Sequence, residues 1–186
     1  MLLHEKLRSR RLLLASQSPR RRELMTACGL PYTLAPKYDC EERYPAALPA
    51  REVPVFLSRL KSEAYPAPLA AEEILLTADT VVVLHDRVLG KPAGRDDALA
   101  MLRALSGRRH TVVSGVTLRT AARMHTFAVE TDVWFRLLTD EETVYYLATF
   151  RHCDKAGAQG IQAWIGSAAM PRIDGTRKHV SGRAVQ

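Results

Sequence analysis

Residues 74–84 read Ile-Leu-Leu-Thr-Ala-Asp-Thr-Val-Val-Val-Leu, an apolar run whose one ionisable side chain is Asp79. Its β-branched content makes it the strongest strand signal in the chain. An ionised carboxylate in the middle of such a strand costs several kcal/mol unless it is paired, hydrogen-bonded or bound to a metal. Two readings of Asp79 follow: a structural acid satisfied by backbone amides, or a functional one that uses its charge.

The segments around this strand supply helices as well as strands. Leu12 to Ala15 predicts a short buried strand, and Ser18-Pro19 the start of a helix, with Ser18 at the N-cap and Gly29 closing it. Cys28 falls on the apolar side of that helix and reads as a core residue. Residues 31–51, with four prolines and the acids Asp39, Glu41 and Glu42, predict an ordered loop with one strand at most. Val55 to Tyr65 has helical spacing and is stopped by Pro66-Ala67-Pro68. Beyond the apolar run, His85-Asp86-Arg87 turns the chain back through Val88-Leu89 to Gly90-Lys91-Pro92. Asp96 and Asp97 open a helix that closes at Gly107. Thr111 to Thr120 and Thr126 to Leu137 predict two long strands, and Thr139-Asp140-Glu141-Glu142 a capping box for a helix to about Thr149. Residues 150–186 read as loop with short strands. Mixed in this order, the elements predict a single α/β domain over residues 1–186.

Composition closes off other classes. At 186 residues, 47% apolar and 25% charged, the chain can bury a core and is not wholly disordered. Near the start, Leu12 to Ala15 gives four apolar residues, too few for the ~7–15 of a signal-peptide core, and no run elsewhere approaches the ~20 of a membrane span. Cys28, Cys40 and Cys153 stand far apart with no C-x-x-C pair, which fits a reducing compartment and predicts a cytoplasmic protein without membrane partners. The net charge of +7 belongs to the ends: seven basic and two acidic side chains in residues 1–23, six and two in residues 151–186. That points to an anionic partner. Aromatics make up only 6% and are not interleaved with the basic residues, which disfavours nucleic acid.

Three features suggest what the anion is. Ala15-Ser16-Gln17-Ser18-Pro19-Arg20-Arg21-Arg22 puts three arginines where a helix N-terminus already carries partial positive charge, so a negative group should compensate. Free N–H groups there would seat a phosphate, although the arginines could equally fan into solvent. Lys91 in Gly-Lys-Pro and Lys155 in Asp-Lys-Ala-Gly sit in loops, with Lys61 on a predicted helix. Such cations, with one carboxylate and a metal, are the usual equipment of phosphoryl chemistry. Glu42 and Asp39 could add oxygens for a hard divalent cation. No P-loop, G-x-S-x-G elbow or H-E-x-x-H is present.

Together these segments resemble the Maf family of nucleoside triphosphate pyrophosphatases, also called septum-formation-inhibitor-like proteins. The carriers are Leu14-Ala15-Ser16-Gln17-Ser18-Pro19-Arg20-Arg21, Thr77-Ala78-Asp79-Thr80-Val81-Val82, Gly90-Lys91-Pro92, Met101-Leu102 through Gly107, and Asp154-Lys155-Ala156-Gly157 through Gln162. The match is clearest over residues 11–166, and 167–186 diverge from the family pattern. The resemblance implies a long mixed β-sheet with flanking helices and two lobes around a cleft, similar to the inosine-triphosphate pyrophosphatases. It implies hydrolysis of dTTP and UTP to the monophosphate and pyrophosphate with Mg²⁺ or Mn²⁺, a house-cleaning role, a link to cell-division arrest, and a homodimer as one arrangement. By the same resemblance Asp79 is the proton acceptor and, with Glu42, the metal side. Lys61, Lys91 and Lys155 match phosphate-side lysines, Arg20, Thr80 and Gln162 match substrate-selecting positions, and Ser16 and Ser18 belong to the binding segment. A nucleotide-sensing regulator of division and a basic nucleic-acid-binding module are the alternatives.

Overall fold

A computed structural model describes residues 3–150, 155–158 and 164–175. The described chain forms α1 (Leu3–Lys6), β1 (Arg11–Leu14), α2 (Pro19–Ala27), β2 (Thr33–Leu34), α3 (Val53–Glu63), β3 (Glu73–Leu84) and β4 (Arg87–Leu89). It continues through α4 (Arg95–Leu105), β5 (Arg109–Arg119), β6 (Met124–Trp134), α5 (Asp140–Thr149), a 3₁₀ turn (Ala156–Ala158), α6 (Trp164–Ala168) and β7 (Arg172–Asp174). The strands join in the order β2-β1-β3-β5-β6-β7, with β4 also paired to β3. β1 is parallel to both β2 and β3, whereas β4 runs antiparallel to β3 and β7 to β6. This is a mixed sheet flanked by helices, an α/β fold.

Two compact units divide the residues: one runs up to Asp79 and adds Ser114–Ala128, the other takes Thr80–Val113 and Val129 onward. In the first, β1 and β3 are covered on both faces. Leu12, Leu14, Ile74 and Leu76 pack with Met25 of α2, while Leu13 and Leu75 pack with Ala35, Tyr65 and Leu69. The period of two in each strand sorts these residues to opposite sides. Gly115 of β5 lies so close to the first turn of α3 that an added Cβ would fall 2.1 Å from the Pro54 carbonyl oxygen. No other residue type fits there without moving the helix. In the second unit, Val82, Leu84, Leu102, Leu105, Val112, Val133, Phe135 and Tyr146 form one buried cluster with Ile165 and Met170.

Most expected elements are present, and the differences have local causes. The turn after β3 holds His85 (φ 47°) and Asp86 (φ 58°) in the left-handed region, as a tight hairpin between β3 and β4 requires. The expected strand to Leu137 stops at Trp134. Beyond it, the Arg136 N–H donates to the Ala169 carbonyl (3.0 Å), and the Arg136 side chain donates to the Ala168 carbonyl and clasps Glu142. α5 starts with the expected capping box between Thr139 and Glu142. In the stretch expected to be loop and short strands, α6 is an additional single-turn helix before β7. Cys28 is the C-cap of α2 and half-buried, not a core residue, because the helix ends one residue before it.

Candidate active site

The site begins with the alternation of β3. Thr77 and Asp79 share the parity of Leu75 and so face α3 rather than α2. There Thr77 Oγ1 donates to the Ser58 carbonyl (2.7 Å), and Lys61 Nζ donates to Asp79 Oδ1 (2.7 Å). The requirement that the sequence set for Asp79, a partner for its charge, is met by a lysine one helix away. Lys61 meets a second carboxylate, Glu42 Oε2, at 2.9 Å. Side-chain exposure is 16% for Lys61 and 15% for Asp79 but 51% for Glu42. Two of the three charges are therefore largely withdrawn from water and the third lies at the rim.

The loop carrying Glu42 is fixed from below. Tyr38 donates its hydroxyl to the Lys61 carbonyl (2.7 Å) and meets Tyr65 edge-on, with ring centroids 5.4 Å apart. Burial, with the neighbouring Cys40 adding to it, pushes the Tyr38 phenol up to about 12, so it remains a donor through the neutral range. Cys40 lies near the same charges; burial and Glu42 push its thiol up while Lys61 opposes.

The strand-to-helix turn before α2 brings Ser16, Ser18, Arg20 and Arg21 to this unit. Ser18 occupies the N-cap, but its side chain makes no capping bond; its N–H donates instead to Ser16 Oγ (3.3 Å). Arg21 Nη1 also donates to Ser16 Oγ, at 3.2 Å. Burial lowers the Arg21 pKa from its usual value, opposed by Asp79 and Glu42 and assisted by Arg20. The negative charge that three arginines at a helix start demanded is thus supplied in part by the protein's own acids. Lys61 contacts Asp79 and Glu42 directly, and Arg21 feels the field of both. Asp39 is exposed and outside this contact set.

The remaining expected residues lie in the second unit. Thr80 follows Asp79 on β3 and is half-buried. Lys91, exposed, and Lys155, half-buried, stand on two turns tied together by the Gly157 N–H, which donates to the Gly90 carbonyl (2.9 Å). Gly157 has φ +62° and packs directly on Val82 of β3, 3.2 Å from an added Cβ to Val82 Cγ2. A left-handed glycine is therefore what places the Lys155 turn beside the Lys91 turn. Gln162 lies outside the described residues, as does Asp154.

Among the described residues no three His, Cys, Asp or Glu side chains converge as a metal cage. Asp79 and Glu42 nevertheless fit a hard cation that arrives with phosphate. Each meets Lys61 through one oxygen, leaving the other outside that contact, and magnesium commonly takes only one or two protein carboxylates. Two residues of this cluster were not singled out from sequence. Arg21 was legible only as the second arginine of its motif, and Tyr38 gave no signal, since its role depends on a backbone carbonyl far along the chain.

Comparison with known proteins places the chain in a family. The model of the Maf-like protein family matches residues 11–185. A dTTP/UTP pyrophosphatase of Bacteroides fragilis is 44% identical over 95% of this chain and 91% of its own length. Those of Parabacteroides distasonis and Porphyromonas gingivalis are each 42% identical, over 98% and 97% of this chain and 94% and 92% of theirs. With the family model covering residues 11–185 and relatives 42–44% identical over nearly the whole sequence, the chain belongs to the Maf family.

Proposed function

We propose that this protein hydrolyses dTTP and UTP to the nucleoside monophosphate and pyrophosphate, with Asp79 as proton acceptor for the attacking water. The observation that carries this reading is the one acid inside the apolar run of β3, Asp79, held by Lys61 through Oδ1 and thereby oriented. Its relatives' activity supports the substrate assignment. In the reaction, the water oxygen bonds to the α-phosphorus while the bond from that phosphorus to the α,β-bridging oxygen breaks. Pyrophosphate leaves with the electron pair. Asp79 takes the water's proton on Oδ2, the oxygen not engaged by Lys61.

Lys61 contacts Asp79 and Glu42 and so holds both carboxylates in place, and its third N–H donor is assigned to the phosphate side. Glu42 and Asp79 would hold a divalent cation, which when bound neutralises the triphosphate and the departing pyrophosphate. Lys91 and Lys155 are assigned to the phosphates. Ser16 and Ser18, with the first N–H groups of α2, are assigned to the same anion. Arg20, Thr80 and Gln162 are assigned to selection among nucleotides, Gln162 offering a base edge both a donor and an acceptor. The free thiols of Cys28 and Cys40 suit action in the cytoplasm.

The test is pyrophosphate release from a panel of nucleoside triphosphates, including modified pyrimidines, with Mg²⁺, Mn²⁺ or EDTA. The reading expects dTTP and UTP to head the panel and EDTA to abolish release. Turnover of neither would leave a nucleotide-sensing role in front. Binding of nucleic acid that weakens steeply with salt would instead favour the basic-module reading.

A further inference from the structure

α3 and β3 meet through two polar contacts set side by side. Thr77 lies two residues before Asp79 on the same face of β3, and Ser58 lies three residues before Lys61 on α3. The Thr77–Ser58 hydrogen bond and the Asp79–Lys61 ion pair are therefore successive rungs between one strand and one helix. They are spaced about 6.7 Å along the strand and about 4.5 Å along the helix, and the long lysine side chain takes up the difference.

The Ser58 backbone carbonyl takes the first rung, and the Ser58 side chain begins a separate chain of hydroxyls. Ser58 Oγ donates to the Val55 carbonyl (2.9 Å) and lies 3.0 Å from Thr117 Oγ1, which in turn lies 3.0 Å from Thr126 Oγ1. Each hydroxyl has one proton. Since Ser58 gives its proton to Val55, Thr117 must donate to Ser58, and Thr126 to Thr117. Every proton in the ladder is assigned. Ser58, Thr77 and Thr117 have no exposed surface. Valine or alanine would fill these positions with equal ease, so burial alone does not account for the choice of hydroxyls. Apolar side chains also leave a helix free to slide along a strand, whereas buried donors and acceptors satisfy one register only.

We infer that Thr77, Ser58 and Thr117 are positioning residues: their buried hydroxyls lock α3 in the register that sets Lys61 Nζ on Asp79 Oδ1. They touch no substrate and act through Lys61. The catalytic consequence rests on the role proposed for Asp79, but the register itself does not.

The test pairs turnover with a direct reading of Lys61. Reductive methylation followed by mass spectrometry compares Lys61 with the exposed Lys37 as an internal reference. In the wild type Lys61 should label slowly. Thr77→Val, which keeps the shape and removes the hydroxyl, should raise the Lys61 rate several-fold. It should also lower kcat on dTTP by about tenfold, with KM within about threefold. Thr77→Ser should restore both. A Thr77→Val protein with a lowered melting temperature but wild-type kcat and Lys61 labelling would make the ladder merely structural and overturn the inference. Should that variant fail to fold, Thr117→Val decides: the same pattern at smaller amplitude supports the register lock, and wild-type values in both readouts refute it. Should the wild type hydrolyse neither dTTP nor UTP, labelling alone decides. Loss of protection in Thr77→Val with recovery in Thr77→Ser then upholds the register while the activity reading fails.

Discussion

A lysine that bridges two carboxylates holds a charge pattern together that would otherwise push itself apart. Removing the ammonium takes from Asp79 and Glu42 the cation that both contact directly. Lys61→Met should therefore destabilise the protein by about 2 kcal/mol in urea unfolding, less than the ~3–5 kcal/mol of a fully buried pair because Glu42 is half exposed. It should also lower turnover of dTTP by at least about a hundredfold, because Asp79 loses the contact that orients it. Asp79 itself was legible in the sequence, since a single acid in an apolar strand must be answered. Which residue answers it was not: Lys61 is 18 residues away in sequence, and only the parity of β3 against α3 brings the two together. Arg21 was hidden for a related reason, because its compensating charges come from other segments of the chain.

Elements with local signals were readable, and those defined by long-range bonds were not. The capping box of α5 stands in four consecutive residues, and the hairpin after β3 in two. The end of β6 depends instead on Arg136, whose bonds to the Ala168 and Ala169 carbonyls reach more than thirty residues along the chain, beyond any local window. Two element-scale predictions follow from these contacts. Gly115→Ala should cost about 1–3 kcal/mol in urea unfolding, because the Pro54 backbone of α3 must retreat from the new methyl group. Hydrogen bonds from Arg136 first, then from the Thr139 backbone, hold Glu142 down to about 2 from its usual 4.5. A carboxylate whose pKa is lower folded than unfolded stabilises the fold above its unfolded value and loses that contribution as pH falls through the folded one. Thermal melts of Glu142→Gln should accordingly lie below wild type at neutral pH. The gap should narrow below pH about 4.5 and close near pH 2.

At the scale of the whole molecule, the chain is two compact units, each with a buried core of its own. Asp79 closes one and Thr80 opens the other within a single strand. The net charge of +7 suggested an anionic partner without identifying it. Part of the basic complement is met internally, with Arg11 on Glu73, Arg103 on Asp140 and Arg136 on Glu142. No helix among the described residues is long and apolar enough to cross a membrane. Under the proposed activity Arg20, Lys91 and Lys155 would meet a triphosphate, and the basic residues at the two ends have no assigned role. That activity turns on one carboxylate, and one comparison tests it: pyrophosphate release from dTTP and UTP by wild type and Asp79→Asn at saturating substrate and Mg²⁺. The account expects the variant to keep its melting temperature within a few degrees and to release pyrophosphate about a thousandfold more slowly, within the range that a lost general base costs. An Asp79→Asn protein that releases pyrophosphate at the wild-type rate would contradict it.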